Sequence, residues 1–147
     1  MIDDRPGWDE RMIMLAEFWA QFSTCLRRQV GAVLFRYDTY AIVGVGYNDT
    51  PIGDEDCGEG GCDLCQGVEP VKNLTECSCV HAEMNAILLA ARWGTAVQGC
   101  NIATTYELCT TCRKHLRQAG INAIVMRGEA SRLPDPHPGS IVTEVMQ

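Results

Sequence analysis

The chain has no apolar run approaching the ~20 residues that a membrane-spanning helix requires, and no charged-then-apolar leader stands at its start. It also lacks an excess of positive charge: Lys and Arg number 12 against 19 Asp and Glu, a formal charge of -7. Polynucleotide backbones reward basic surfaces, so this balance argues against a nucleic-acid-binding protein. A small anionic substrate held in a local basic pocket remains compatible with it. Internal repeats are absent too. The expectation is a cytoplasmic enzyme with no membrane partner. In such a chain nine cysteines read as metal ligands rather than disulfides. The odd count agrees, since an all-disulfide framework would leave one over.

What is present fits a single domain over residues 1–147. A chain of this length buries about 70% of its unfolded surface, enough for a proper core.

Two short segments carry the chemistry. His81-Ala82-Glu83 stands at the mouth of an apolar helix, and Cys109-Thr110-Thr111-Cys112 opens another. A zinc ion that does chemistry is usually held by three protein ligands, which leaves a position for a water whose pKa falls towards neutrality. His81, Cys109 and Cys112 supply such a set. Residues i and i+2 of a helix point apart, unless the first sits in the non-helical cap. With His81 at that cap, Glu83 faces the same site as proton carrier. Cys109 and Cys112, at i and i+3, share one helix face, and the positive end of the helix favours their thiolates.

The H-x-E and C-x-x-C pair resembles the signature of the zinc deaminases, and the chain is most similar to the deoxycytidylate (dCMP) deaminase family. The resemblance extends through Ser23-Thr24-Cys25-Leu26-Arg27, Val30-Gly31-Ala32-Val33, Gly46-Tyr47-Asn48, His81 to Ile87 and Gln118-Ala119-Gly120-Ile121, covering roughly residues 10–126. There are two departures. Leu108 stands where the family has proline, and the family's tyrosine-bearing segment reads Arg127-Gly128-Glu129-Ala130.

The resemblance implies zinc-dependent hydrolysis of dCMP to dUMP and ammonia, with Glu83 as proton carrier. It implies that Asn48 contacts the sugar, although Asn48 also reads as an ordinary turn residue. The backbone N–H groups of Ala82 and Cys109 would hold the pyrimidine carbonyl. Arg27, beside the first strand, reads either as a phosphate contact or as a surface arginine. The resemblance further implies a homo-oligomer, often a hexamer, controlled by dCTP and dTTP.

Residues 49–79 form a cysteine-rich insertion. A structureless loop of that length is unusual inside a compact domain, so a second, structural zinc is expected to tie it down. Related deaminases carry such a site on cysteines matching Cys25 and Cys57. Cys62 and Cys77 complete the expected set, with Cys65 and Cys79 as substitutes.

The remaining periodicities give a coarse α-β-β-α-β-α-β order. Trp8, Met12, Leu15, Phe18, Trp19 and Phe22 recur at helical spacing and predict a packed first helix over 8–22. A hairpin is expected over 30–35 and 40–46, turning at Asp38. Helices follow over 82–93 and 109–119, each stopped by a glycine, with strands at 101–105 and 122–126. Residues 133–139 carry alternating prolines and read as loop, and 141–146 as a fifth strand or an arm onto a neighbour. His115 and His137 read as solvated. The fold class is α/β, a three-layer cytidine-deaminase-like mixed sheet flanked by helices.

Two other functions remain open. Thr105-Tyr106-Glu107-Leu108-Cys109 is similar to the T-x-E-P-C pattern of deaminases acting on adenosine, guanine or the riboflavin-pathway pyrimidine, where Thr105 and Glu107 would meet the base. A catalytically silent zinc-binding interaction module is a different class altogether. Glu83 speaks against it, because a closed structural site has no need of a proton carrier.

Overall fold

In a computed structural model the described residues are 4–67 and 77–127. The expected loop at 133–139, the strand or arm at 141–146, His137 and residues 128–130 lie outside them.

The central strand is β1 (Gly31–Arg36), which pairs antiparallel with β2 (Ile42–Tyr47) on one side and with β3 (Cys100–Thr104) on the other. β4 (Ala123–Val125) adds parallel to β3, giving the mixed order β2-β1-β3-β4. β1 alternates its side chains between two apolar layers. Ala32 and Leu34 join the core beneath α3 (Ala82–Arg92) and α4 (Thr110–Gln118), and Val33 and Phe35 join the core beneath α1 (Trp8–Ala20). Both faces of the sheet are therefore covered, and β1 reads as a continuous apolar run. This is the expected three-layer α/β arrangement in the expected element order.

Strand and helix bounds move by one or two residues from the sequence reading. The hairpin shows why. Tyr40 adopts φ 55 in the turn, so β2 starts only at Ile42 rather than at residue 40.

The first helix forms and packs as expected through Met12, Leu15 and Trp19, but three of the expected aromatics need a correction. Its buried residues are Met12, Ile13, Ala16 and Ala20, whereas Trp8, Phe18 and Phe22 are about half exposed. Beside Gly31 the inner face is made of Ala16 and Ala20 because α1 lies directly against β1 there: a side chain at Gly31 would overlap the Ala16 carbonyl. The aromatic rings instead collect at the margin, where Trp19 stacks on Tyr47 and Phe22 packs on both.

A second close approach positions the chemistry. Any side chain at Gly46 would strike the Ala82 carbonyl, so glycine there lets the first turn of α3 rest on the end of β2. The Asn85 amide donates to the Tyr47 carbonyl at 2.7 Å and pins the same corner. The insertion begins and ends at one point, where Asp49 and Val80 exchange backbone hydrogen bonds. Between them lie a 3-10 turn at Cys57–Glu59 and the short α2 (Asp63–Gln66). No helix among the described residues is long and apolar enough to cross a membrane.

Candidate active site

His81 caps α3 in extended backbone (φ -65, ψ 151), as its pairing with Glu83 required. Cys109 caps α4, and its Sγ accepts the Cys112 amide at 3.3 Å. The caps bring three donors together, with His81 Nδ1 lying 3.4 Å from both Cys109 Sγ and Cys112 Sγ. Leu108, where proline was expected, is buried in the core under α4, so the turn into the helix is anchored by apolar packing instead of a fixed φ.

One nitrogen and two sulfurs at this spacing suit zinc and not a hard, oxygen-seeking cation. Burial first, and then the neighbouring Glu83 carboxylate, pushes the Cys112 thiol up. A thiolate persists in such a place only with a cation beside it. His81, Cys109 and Cys112 therefore fit a catalytic zinc ion.

Glu83 is only 4% exposed. Its burial raises the carboxyl pKa, and the Thr104 hydroxyl, donating to Oε1 at 2.9 Å, opposes part of that rise. Thr104 was missed in the sequence, where Thr105 drew attention. The signal was available, because Cys100, Ile102 and Thr104 alternate along β3 and the first two lie in the core beneath α3. Thr105 instead stitches strand ends together, its Oγ1 accepting the Gly31 amide at 3.1 Å while its own amide donates to the Gly31 carbonyl.

These groups open on a cavity of 490 Å³ whose wall includes Asn48, His81, Ala82, Glu83, Glu107 and Cys109. That volume lies within the range of small-molecule sites. Asn48 is buried, and its side chain is engaged by the backbone, accepting from the Val30 amide at 2.7 Å and donating to the Arg28 carbonyl at 2.8 Å. It thus shapes the wall. Arg27 also lines the cavity, but it donates to the Leu64 carbonyl at 2.5 Å and the Gly67 carbonyl at 2.8 Å, tying the insertion to the body. The cation that sequence reasoning overlooked is Arg28, whose guanidinium lies 3.7 Å from the centre of the Tyr106 ring at the same wall. Nothing in the local spacing links residues so far apart.

The expected second set divides differently from the sequence reading. Cys25, Cys57, Cys62 and Cys77 do not close into one group. They split between the triads Cys25-Cys57-Cys79 and Cys62-Cys77-Cys79, so Cys79, expected only as a substitute, belongs to both.

The family model for the cytidine and deoxycytidylate deaminase zinc-binding region matches residues 6–127. The deoxycytidylate deaminase of Schizosaccharomyces pombe is 36% identical over 142 residues, covering 94% of this chain and 42% of that protein. The chain thus spans about two fifths of the length of its fission-yeast relative. The deoxycytidylate deaminase of Mycobacterium phage D29 is 34% identical over 135 residues, which cover 86% of this chain and 98% of the phage protein. Among solved structures, the dCMP deaminase of cyanophage S-TIM5 in complex with dCMP and dUMP superposes with a TM-score of 0.68 at 28% identity, over 83% of this chain and 82% of that one. With the family match spanning residues 6–127 around the His81, Cys109 and Cys112 cluster and the buried Glu83, the chain belongs to the cytidine and deoxycytidylate deaminase zinc-binding family.

Proposed function

We propose that the chain is a hydrolase that deaminates a cytosine nucleotide, converting dCMP and water to dUMP and ammonia. The observation that carries this reading is a buried carboxylate, Glu83, held by Thr104 beside an open three-ligand cluster at the edge of a nucleotide-sized cavity. The names of the fission-yeast and phage D29 relatives, and the dCMP and dUMP bound to the cyanophage enzyme, support dCMP as substrate.

His81, Cys109 and Cys112 would hold the zinc, which when bound supplies the Lewis acidity that brings a water towards deprotonation at neutral pH. Glu83 takes the proton from the attacking water and delivers it to N3 of the pyrimidine. As oxygen bonds to C4, Glu83 carries a second proton to the exocyclic amine, the C4–N bond breaks and ammonia leaves. Its burial supports this shuttle, because a carboxyl pushed up from its ordinary range accepts a proton readily and surrenders it again. The Ala82 and Cys109 amides at the two helix mouths are the donors for the pyrimidine carbonyl. Arg28, stacked on Tyr106, is the cation offered to the phosphate, Asn48 backs the sugar, and Arg27 keeps the insertion in place beside them.

The chain works as one deaminase domain whose insertion, residues 49–79, is fastened by structural zinc. Nine free cysteines support a reducing, cytoplasmic setting. The half-exposed Trp8, Phe18 and Phe22 support a homo-oligomer. Gel filtration with and without dCTP tests that assembly, and a monomer under both conditions would contradict it.

Glu107 in the cavity wall favours a second reading, in which its carboxylate recognises an amino group that dCMP lacks. Ammonia release by the zinc-loaded protein from dCMP, CMP, deoxycytidine, cytosine, guanine and adenosine separates the two. Turnover of dCMP above the rest is expected; preference for guanine or adenosine would overturn it.

A further inference from the structure

Six cysteines from separate parts of the chain, Cys25, Cys57, Cys62, Cys65, Cys77 and Cys79, meet in one cluster. Their sulfurs form three close pairs: Cys25 with Cys65 at 3.7 Å, Cys57 with Cys79 at 3.0 Å, and Cys62 with Cys77 at 3.5 Å. The pairs have an order. Cys79 Sγ lies in one triad with Cys25 and Cys57 and in another with Cys62 and Cys77, so Cys79 stands between the two groups. Cys57 and Cys62 are fully buried and Cys79 is 7% exposed, so the heart of the cluster is closed to solvent.

Ligand arithmetic then selects the occupant. Two thiolates on one tetrahedral zinc, with Zn–S near 2.3 Å, stand about 3.8 Å apart, and the outer pairs are close to this spacing. A single ion would use only part of the set and leave the remaining thiols without a ligand role. Two separate all-sulfur ions would need more sulfurs than the cluster has. With Cys79 shared, the six thiolates give four ligands to one ion and three to the other, which leaves the second one place for a further donor.

We propose that the insertion holds a pair of zinc ions, one bound by Cys25, Cys57 and Cys65, the other by Cys62 and Cys77, with Cys79 bridging both. The inference rests on the reading of the insertion as zinc-bound and extends it in ion number and connectivity. The surroundings match a negatively charged metal–thiolate cluster. The amides of Ser78, Cys65 and Leu64 direct hydrogen bonds at Cys62 Sγ, and the Cys79 amide lies 3.5 Å from Cys77 Sγ. Arg27, bonded to the Leu64 carbonyl, brings a positive charge to the same corner. The all-sulfur donor set favours a soft or borderline ion.

The full chain, purified anaerobically under reducing conditions, should contain about three zinc ions: one at the open His81 site and two in the cluster. About two would overturn the paired cluster while leaving a single structural zinc in place, and about one would remove both readings. Replacement of zinc by cadmium-113 tests the bridges directly. The expected spectrum has two sulfur-ligated resonances split by mutual coupling through the Cys79 thiolate; a lone resonance, or two without coupling, would overturn the bridged arrangement. A Cys79→Ser variant should lose that coupling. If the variant does not fold, the wild-type stoichiometry and cadmium spectrum still decide the matter.

Discussion

The two sulfur-bearing clusters sit on one cavity wall but are built to opposite ends. At the first, His81, Cys109 and Cys112 come from the mouths of two long helices, and a buried glutamate stands beside them. At the second, cysteines arrive from turns and a single-turn helix, and among the described residues the two cysteine triads that could hold a metal include no carboxylate. Mixed ligands on rigid elements, with one coordination position unclaimed, suit chemistry. An all-sulfur cluster on irregular chain suits fastening, because metal binding then supplies the folding free energy that the loop cannot obtain from apolar burial.

Breaking the proton carrier should have the largest effect on turnover. Glu83→Gln keeps the side chain's shape, so zinc content measured on the same sample should be unchanged while kcat for dCMP falls by about 10³-fold or more, the upper range for a lost general acid–base. Retained turnover would erase the functional difference between the clusters. Breaking the second cluster should act on the fold instead. Structural zinc contributes on the order of 10 kcal/mol, comparable with the whole stability of a domain, about 5–15 kcal/mol. Cys79→Ser should therefore lower the melting temperature sharply and make residues 49–79 protease-sensitive, as thermal unfolding and limited proteolysis would register.

Thr104→Val removes the donor to Glu83 with little change in volume. A buried carboxylate losing one hydrogen bond costs about 1–3 kcal/mol, so kcat should drop about tenfold, which corresponds to ~1.4 kcal/mol. The direction of the pH effect follows from the Thr104 bond, which favours the ionised carboxylate. Without it the Glu83 pKa rises further, and the acidic limb of the kcat/KM profile should move to higher pH. A merely structural threonine would leave that limb in place. The smallest change is expected for Arg28→Ala: a several-fold rise in KM for dCMP with kcat nearly constant, as loss of a partly exposed cation at a phosphate predicts.

Local patterns in the sequence made the open site legible because its chemistry is written in short spacings. A histidine cap followed by a glutamate in the first turn, and thiols one helical turn apart, have few arrangements available. Element order was legible for the same reason, since β1 is one apolar run and both α3 and α4 end at glycines in left-handed backbone, Gly94 and Gly120. The inner face of α1 was legible only in part. Met12 is buried as expected, and Leu15 and Trp19 pack against the core, but where α1 meets β1 at Gly31 the buried residues are Ala16 and Ala20, with the rings of Trp8, Phe18 and Phe22 left half exposed. The cysteine cluster was half legible. Composition pointed to a metal, whereas the partition of its members depends on loops that return Cys77 and Cys79 to Cys57 and Cys62. Thr104 and Arg28 belong to the same category, being defined by partners distant in sequence.

On the proposed function the open site, and not the insertion, performs a hydrolysis at C4 of a cytosine nucleotide. Incubating the zinc-loaded chain with dCMP in oxygen-18 water tests it most directly, with the product analysed by mass spectrometry and ammonia measured in parallel. The expected product is dUMP carrying one heavy oxygen at C4, with one ammonia released for each dUMP formed. Unchanged dCMP from a sample whose His81 site is fully loaded with zinc would contradict it.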